Sequence, residues 1–170
     1  CGPCSEIFYD LGPEFGDDGG PAEGGQDRFI EVWNLVFMQF SNDGSGELQP
    51  LPQTGIDTGA GMERLLAVLQ GVPSVWDIDL FAPLLSEAER ITGIKYGEDS
   101  STDVSMRIFA DHARSTALLI SDGVFPSNEA RGYVLRRIIR RAVRQAWTLG
   151  VEDVVMPGLV EVVAEVMGEK

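Results

Sequence analysis

The chain has 170 residues, 44% of them hydrophobic, with 27 acidic against 13 basic side chains and a formal net charge of −14. That length and apolar content suffice for one ordinary domain or for parts of two. The negative balance excludes a general sliding nucleic-acid binder. No run of 18 apolar residues and no charged-then-apolar opening is present, so neither a membrane nor export is expected.

Cys1 stands directly at a motif and not at a Met, so the chain is expected to be a fragment of a longer protein. Cys1 and Cys4 have the spacing of half a zinc site or of a redox pair. No second pair follows and His112 is the sole histidine, so reduced thiols and no metal site are expected. Ser5 to Asp10 alternates polar and apolar residues as a half-buried strand does. Residues 12–26 are glycine- and acid-rich and read as a loop. Phe29 to Phe40 is apolar, aromatic and β-branched, which predicts a central strand covered on both faces. Residues 42–46 form a turn cluster, and Leu48 to Gln53 is too proline-broken for an interior strand.

The stretch from Thr54 to Gln70 carries the densest information. Gly59 and Gly61 lack a Cβ and let backbone approach a ligand closely, and they read as a glycine turn. A helix from about Gly61 to Gln70 follows, with Leu65, Leu66, Val68 and Leu69 as its buried face. Arg64 lies in its first turn, where a guanidinium fork suits a phosphate. A salt-bridged Arg64 beside an ordinary glycine turn explains the same residues, and both readings stay open. So do two readings of Asp57, as an Asx-turn residue or as a carboxylate for an ammonium group. Asn34 and Val36 share one face of the predicted strand, and a buried asparagine there requires partners for its amide.

Gly71 and Pro73 mark a boundary, and the texture beyond it is helical. Helices are predicted over 79–92 despite Pro83, over 104–122, over 133–147 and over 159–167, with a polar loop at 97–102. The 104–122 helix would pack through Met106, Phe109, Ala110, Ala113, Ala117 and Ile120. His112 beside Asp111 is read as a structural histidine. In the 133–147 helix, Arg136, Arg140 and Arg144 share one face with Arg137 and Arg141 alongside, and Leu135, Ile138, Ile139, Ala142 and Ala146 form the buried face. Residues 131–144 hold six arginines and no acid. A solvated helix neutralised by the chain's own carboxylates is one reading, and phosphate contact is the other.

Asp57-Thr-Gly-Ala-Gly-Met-Glu-Arg64, entering an apolar helix, resembles the third signature motif of class II aminoacyl-tRNA synthetases. Six further blocks resemble the alanyl-tRNA synthetase family in order and spacing. They are Cys1-Gly-Pro-Cys4, Val32-Trp-Asn-Leu-Val-Phe-Met-Gln-Phe40, Leu51-Pro52, Ala110-Asp-His-Ala-Arg-Ser115, Asp122-Gly-Val-Phe-Pro-Ser-Asn-Glu129 and Arg131-Gly-Tyr-Val-Leu-Arg-Arg-Ile-Ile-Arg-Arg141. The resemblance implies an α+β fold: residues 1–72 as the C-terminal part of a catalytic domain built on an antiparallel class II sheet, and 73–170 as the start of an all-helical tRNA-recognition domain. It implies alanine and ATP, with Mg²⁺, as substrates, and the acceptor stem of the alanine tRNA as partner. Asn34, Val36, Asp57 and Gly59 would hold alanine, Gly61 and Arg64 would hold ATP, and Arg64 would be catalytic. Asn128, Arg131, Arg136, Arg137, Arg140, Arg141 and Arg144 would meet tRNA. Zinc is expected only in parts of the parent outside these residues, and the location is expected to be cytoplasmic. The alternative is an RNA-binding module descended from a synthetase without catalysis, against which the intact Asp57, Gly59, Gly61 and Arg64 argue.

Overall fold

A computed structural model describes residues 1–23 and 27–168. The expected loop at 12–26 therefore lies outside the described residues at 24–26. The chain is α+β and divides into two compact units, Cys1–Val75 and Trp76–Lys170.

The first unit is a three-stranded antiparallel sheet in the order β1 (Cys4–Asp10), β2 (Phe29–Asn42), β3 (Leu48–Ala60), followed by α1 (Met62–Gln70). β3 corrects one expectation. The segment 48–53 lies in an edge strand and not an interior one, and the glycine-rich segment that follows extends that strand instead of turning. Pro50 pairs with Phe40 and Gly55 with Met38, so residues 51–54 fall into a register shift opposite Gln39, and Pro52 sits there. An edge strand with such an irregularity has no ladder hydrogen bond to lose at a proline. The sheet also leaves β2 less covered than expected. Val32 is its one buried residue and Trp33 is exposed, with α1 the helix that packs against this strand. Within α1, Ala67 is buried but Leu69 is 80% exposed. At 3.6 residues per turn, Leu69 lies about 160° round the helix from Ala67, so the face that carries Leu69 is not the one that Ala67 buries.

A second β-irregularity lies between Ile7 and Phe8. Ile7 opposes Trp33 and Phe8 opposes Glu31, which leaves Val32 as the extra residue. The excursion between β1 and β2 is tied down beside it. Arg28, almost fully buried, donates twice to Asp10 (2.7 and 2.9 Å) and once to the Gly16 carbonyl (3.1 Å), and its Nη1 pairs with Asp18 at 2.6 Å. This bidentate geometry is the strong form of an arginine–carboxylate contact.

The second unit is all-helical: α2 (Ala82–Thr92), α3 (Ser100–Ser121), α4 (Ala130–Thr148) and α5 (Met156–Met167). Pro83 and Pro157 sit in the first turns of α2 and α5, where no helical hydrogen bond needs their missing N–H. α3 begins earlier than the predicted 104 because the Asp99 side chain accepts from the Ser101 N–H at 3.0 Å and caps it. Its core face is Met106, Phe109, Ala110, Ala113 and Thr116, packed with Leu84, Leu85, Leu135, Leu159 and Val163. Ile120, expected inside, is exposed where the last turn emerges from the bundle. In α4 the buried stripe is Gly132, Leu135, Ala142 and Ala146, and Ile138 and Ile139 are only half-buried, so this helix offers a narrower buried face than its sequence suggested. No described helix is long and apolar enough to cross a membrane.

The Arg28 clamp has a pH signature. Hydrogen bonds from the Arg28 side chain, then from the Gly12 N–H, hold the Asp10 carboxyl down at about 2, against an ordinary 3.8. A depressed carboxyl contributes stability that is present above its unfolded pKa and lost as pH falls through its folded one. Asp10→Asn is therefore expected to lower the melting temperature at pH 7. The gap from wild type should narrow as pH falls from about 4 towards about 2. Thermal melts across that range check this, and a gap independent of pH would mean that the clamp does not hold Asp10 ionised.

Candidate substrate face and arginine groove

Pairing decides which side chains meet on the sheet. Asn34 opposes Glu6 on β1 and Gly59 on β3, and Val36 opposes Cys4 and Asp57. Directly opposed residues share a face and alternate residues along a strand return to it, so Glu6, Asn34, Val36, Asp57 and Gly59 occupy one face. Trp33, Leu35 and Thr58 lie on the other, where the Trp33 indole N–H donates to the Thr58 hydroxyl. Asp57 is a strand residue and not part of an Asx-turn. Where a Cβ on Gly59 would stand, no atom lies within 4 Å, so the sheet is open at that point.

The irregularity at Val32 brings Glu31 opposite Phe8, and Glu6, Phe8 and Glu31 line one cavity of about 320 Å³ together with Arg64. Arg64 starts α1 and its stem lies across Gly61, whose hypothetical Cβ would be 3.2–3.4 Å from it. Its Nη1 donates to the Glu31 carbonyl at 2.8 Å and lies 3.5 Å from the Glu31 carboxylate. The helix body lies elsewhere: Ala67 and Val68 line a different cavity with Tyr9, the neighbour of Phe8 that points to the opposite face. The start of α1 thus delivers a guanidinium to the face that carries Asn34. Half of the Arg64 side chain remains exposed and able to meet a ligand.

Glu6 and Glu31 were missed in the sequence. Asn34 Nδ2 donates to Glu6 Oε1 at 3.0 Å, and Glu6 also borders the Arg64 cavity, so it joins the two groups. Only the strand register announces this, since Glu6 and Asn34 lie 28 residues apart. Cys1 and Cys4 are free and exposed. Among the described residues, no group of three or more His, Cys, Asp or Glu is placed to hold a metal ion.

In the helical unit the sequence-predicted cations converge. Asn128, Tyr133, Arg136, Arg137, Arg140, Arg141 and Arg144 line an open groove of about 680 Å³ on α4. Arg131 is exposed in the first turn of α4 but does not line the groove. Among the described residues no carboxylate forms an ion pair with any of these arginines. Arg137 instead lies over the Tyr133 ring at 5.9 Å. Asn128 stands at the tip of a turn closed by Ser127, whose hydroxyl donates to the Glu129 carbonyl (2.8 Å) and accepts from the Glu129 N–H (3.3 Å). Arg136 Nη1 donates to Asn128 Oδ1. The residue that opens α4, Ala130, has φ +48°, a left-handed conformation that costs a non-glycine residue about 1–2 kcal/mol. His112 accompanies its neighbour Asp111 at 3.0 Å and lines a small cavity with Arg137 and Arg141.

Gly132 gives a direct test of that turn. Alanine normally stabilises a helix interior relative to glycine by about 1 kcal/mol. Here a Cβ would stand 2.4 Å from the Phe125 carbonyl oxygen and 2.3 Å from the Ser127 hydroxyl. Gly132→Ala is therefore expected to destabilise by about 1–3 kcal/mol in denaturant titration, the cost of overpacking. A stabilised variant would show that the turn bearing Asn128 is not packed on α4.

The family model described as class II tRNA synthetases (A) matches residues 1–170. The chain is 58% identical over 170 residues to an alanine–tRNA ligase of Acidithiobacillus ferridurans, covering 99% of this chain and 19% of that protein. It is 53% identical over 173 residues to an alanine–tRNA ligase of Parafrankia sp. (strain EAN1pec), covering 99% and 20%. To an alanine–tRNA ligase of Natranaerobius thermophilus it is 49% identical over 171 residues, covering 99% and 20%. The chain therefore spans about a fifth of the length of these curated relatives.

Proposed function

The chain belongs to the class II tRNA synthetases (A), and from that membership we propose that it is a section of an alanine–tRNA ligase. Residues 1–72 end the catalytic domain and 73–170 begin the tRNA-recognition domain of a longer cytoplasmic enzyme. The parent activates alanine with ATP and transfers it to tRNA, and this section alone is inactive. The observation that carries this reading is the sheet register, which sets Asn34, Val36, Asp57 and Gly59 on one face beside the cavity of Arg64.

On that face Asp57 supplies the carboxylate for the α-ammonium group, and Gly59 leaves the backbone bare for the substrate to lie against. Val36, directly opposite Asp57, limits the side chain to about a methyl group. Arg64, steadied by Glu31 and Gly61, meets ATP phosphate. The reaction is an in-line attack by the alanine carboxylate on the α-phosphorus, with pyrophosphate leaving. It needs positioning and neutralisation of developing charge and no proton shuttle. Mg²⁺ accompanies ATP and neutralises phosphate charge. The Glu31 carboxylate in the Arg64 cavity is the hard oxygen donor type that such an ion takes. In the helical unit, five arginines lining one groove suit the phosphates of the acceptor stem, and Asn128 at its edge suits a base edge.

Asp57→Ala in the full-length synthetase is expected to reduce alanine-dependent pyrophosphate exchange by roughly 30- to 150-fold, the worth of about 2–3 kcal/mol for a lost charge-assisted contact. Unchanged exchange would remove Asp57 from the ammonium site. The two arginine sets separate in a second experiment. Arg64→Ala should raise the KM for ATP while leaving tRNA affinity intact. The double variant Arg136→Ala, Arg140→Ala should weaken tRNA binding and flatten its salt dependence by nearly one unit of logarithmic slope per lost phosphate contact. Equal effects of both variants on both ligands would contradict the assignment.

A further inference from the structure

We propose that Glu6 is a positioning residue for amino-acid recognition: it fixes the orientation of the Asn34 amide, so that the amide oxygen is turned towards the substrate ammonium beside Asp57. The inference rests on the placement of alanine argued above. An ionised carboxylate only accepts hydrogen bonds, so the Asn34 atom facing Glu6 at 3.0 Å must be the NH₂ group. Glu6 lies across from Asn34 on β1 and Gly59 lies across from it on β3. With its nitrogen drawn to β1, the planar amide directs its oxygen the other way, over Gly59, where no side chain intervenes and no atom occupies the Cβ position. Asp57 is the diagonal neighbour on the same face, at the ~7–8 Å typical of such pairs, and an ammonium seated between the two finds both a carboxylate and a carbonyl oxygen. Without Glu6 the amide is free to rotate and to present its NH₂, which repels an ammonium. Glu6 is exposed on the strand, so its carboxylate is dispensable for packing.

The test is a double-mutant cycle in the full-length synthetase, read by alanine-dependent pyrophosphate exchange. Glu6→Ala is expected to raise the KM for alanine about tenfold, as for one lost hydrogen bond to a charged group, with kcat and the KM for ATP within about twofold of wild type. Glu6→Gln keeps the reach but offers an NH₂ as readily as an oxygen, so the Asn34 amide can flip and the alanine KM should stay raised, by less than in Glu6→Ala. Glu6→Asp withdraws the acceptor by one methylene and should resemble Glu6→Ala, which keeps the test valid if the alanine variant folds poorly. In an Asn34→Ala background, Glu6→Ala should add nothing, because Glu6 acts only through that amide. Additive effects, or a change confined to the KM for ATP, would overturn the positioning role and leave the alanine site standing. An Asn34→Ala variant with wild-type alanine KM would overturn the alanine site itself, and the positioning role with it.

Discussion

The pairing of β2 with a strand on each side is the constraint on which the proposed substrate face depends. Asn34 and Val36 contribute to that face only because Glu6, Cys4, Gly59 and Asp57 stand opposite them in register. The side-chain period of a strand is two, so a slip of one residue on β2 would send both to the far side of the sheet. Three contacts oppose such a slip. On the far face, Trp33 donates to Thr58 across the β2–β3 pair. At the end of the sheet, the Gly61 N–H donates to the Val32 carbonyl (3.2 Å) and fixes where β3 passes into α1. Between β1 and β2, Arg28 gathers Asp10, Gly16 and Asp18 and fastens the excursion that joins the strands. The extra residue at Val32 then brings Glu31 level with Phe8, and only because of that offset does Glu31 meet Arg64.

Both units use an ionised side chain to decide which end of an asparagine amide is offered. Glu6 can only accept and so takes the NH₂ of Asn34. Arg136 can only donate and so takes the oxygen of Asn128. The consequences are opposite. Asn34 is left with a free acceptor, which suits an ammonium group, and Asn128 with free donors, which suit the acceptor atoms of base edges. A neutral partner would leave either amide able to flip at little cost, and the discrimination would be lost.

Short-range pattern made the helices and the candidate site residues legible in the sequence, and pairing hid the rest. Periodicity located α4, and the Gly-x-Gly-x-Glu-Arg run marked the start of α1, because both signals lie within a few residues. β3 was hidden because Pro50, Pro52, Gly55 and Gly59 weigh against a strand locally, whereas an edge position with a register shift accepts them. The coverage of β2 was overestimated because composition reports the hydrophobicity of a strand and not what lies against it. In α1, counting apolar residues placed Leu69 inside, although its angular distance from Ala67 puts it outside. The early start of α3 was available locally, since Asp99 followed by Ser100 and Ser101 is a capping signal; it was masked by the polarity of the segment. Glu6 had no local signal at all.

The charge distribution bears on the proposed tRNA contact. The chain is strongly acidic overall, yet α4 spaces Arg136, Arg140 and Arg144 at four-residue steps, with Arg137 and Arg141 at the same step beside them. Like charges at that spacing cost an isolated helix about 0.2–0.5 kcal/mol per pair, and no described carboxylate offsets the cost. The helix tolerates it because Leu135, Ala142 and Ala146 are fully buried against the bundle, which anchors its inner stripe independently of the surface. A polyanion laid in the groove converts that repulsion into attraction, with release of counterions. Under the proposed tRNA role, the net negative charge of the chain disfavours a nucleic acid away from this groove. Asn128 lines the same groove with its amide oxygen taken by Arg136, which leaves its NH₂ donors for the base edge proposed above.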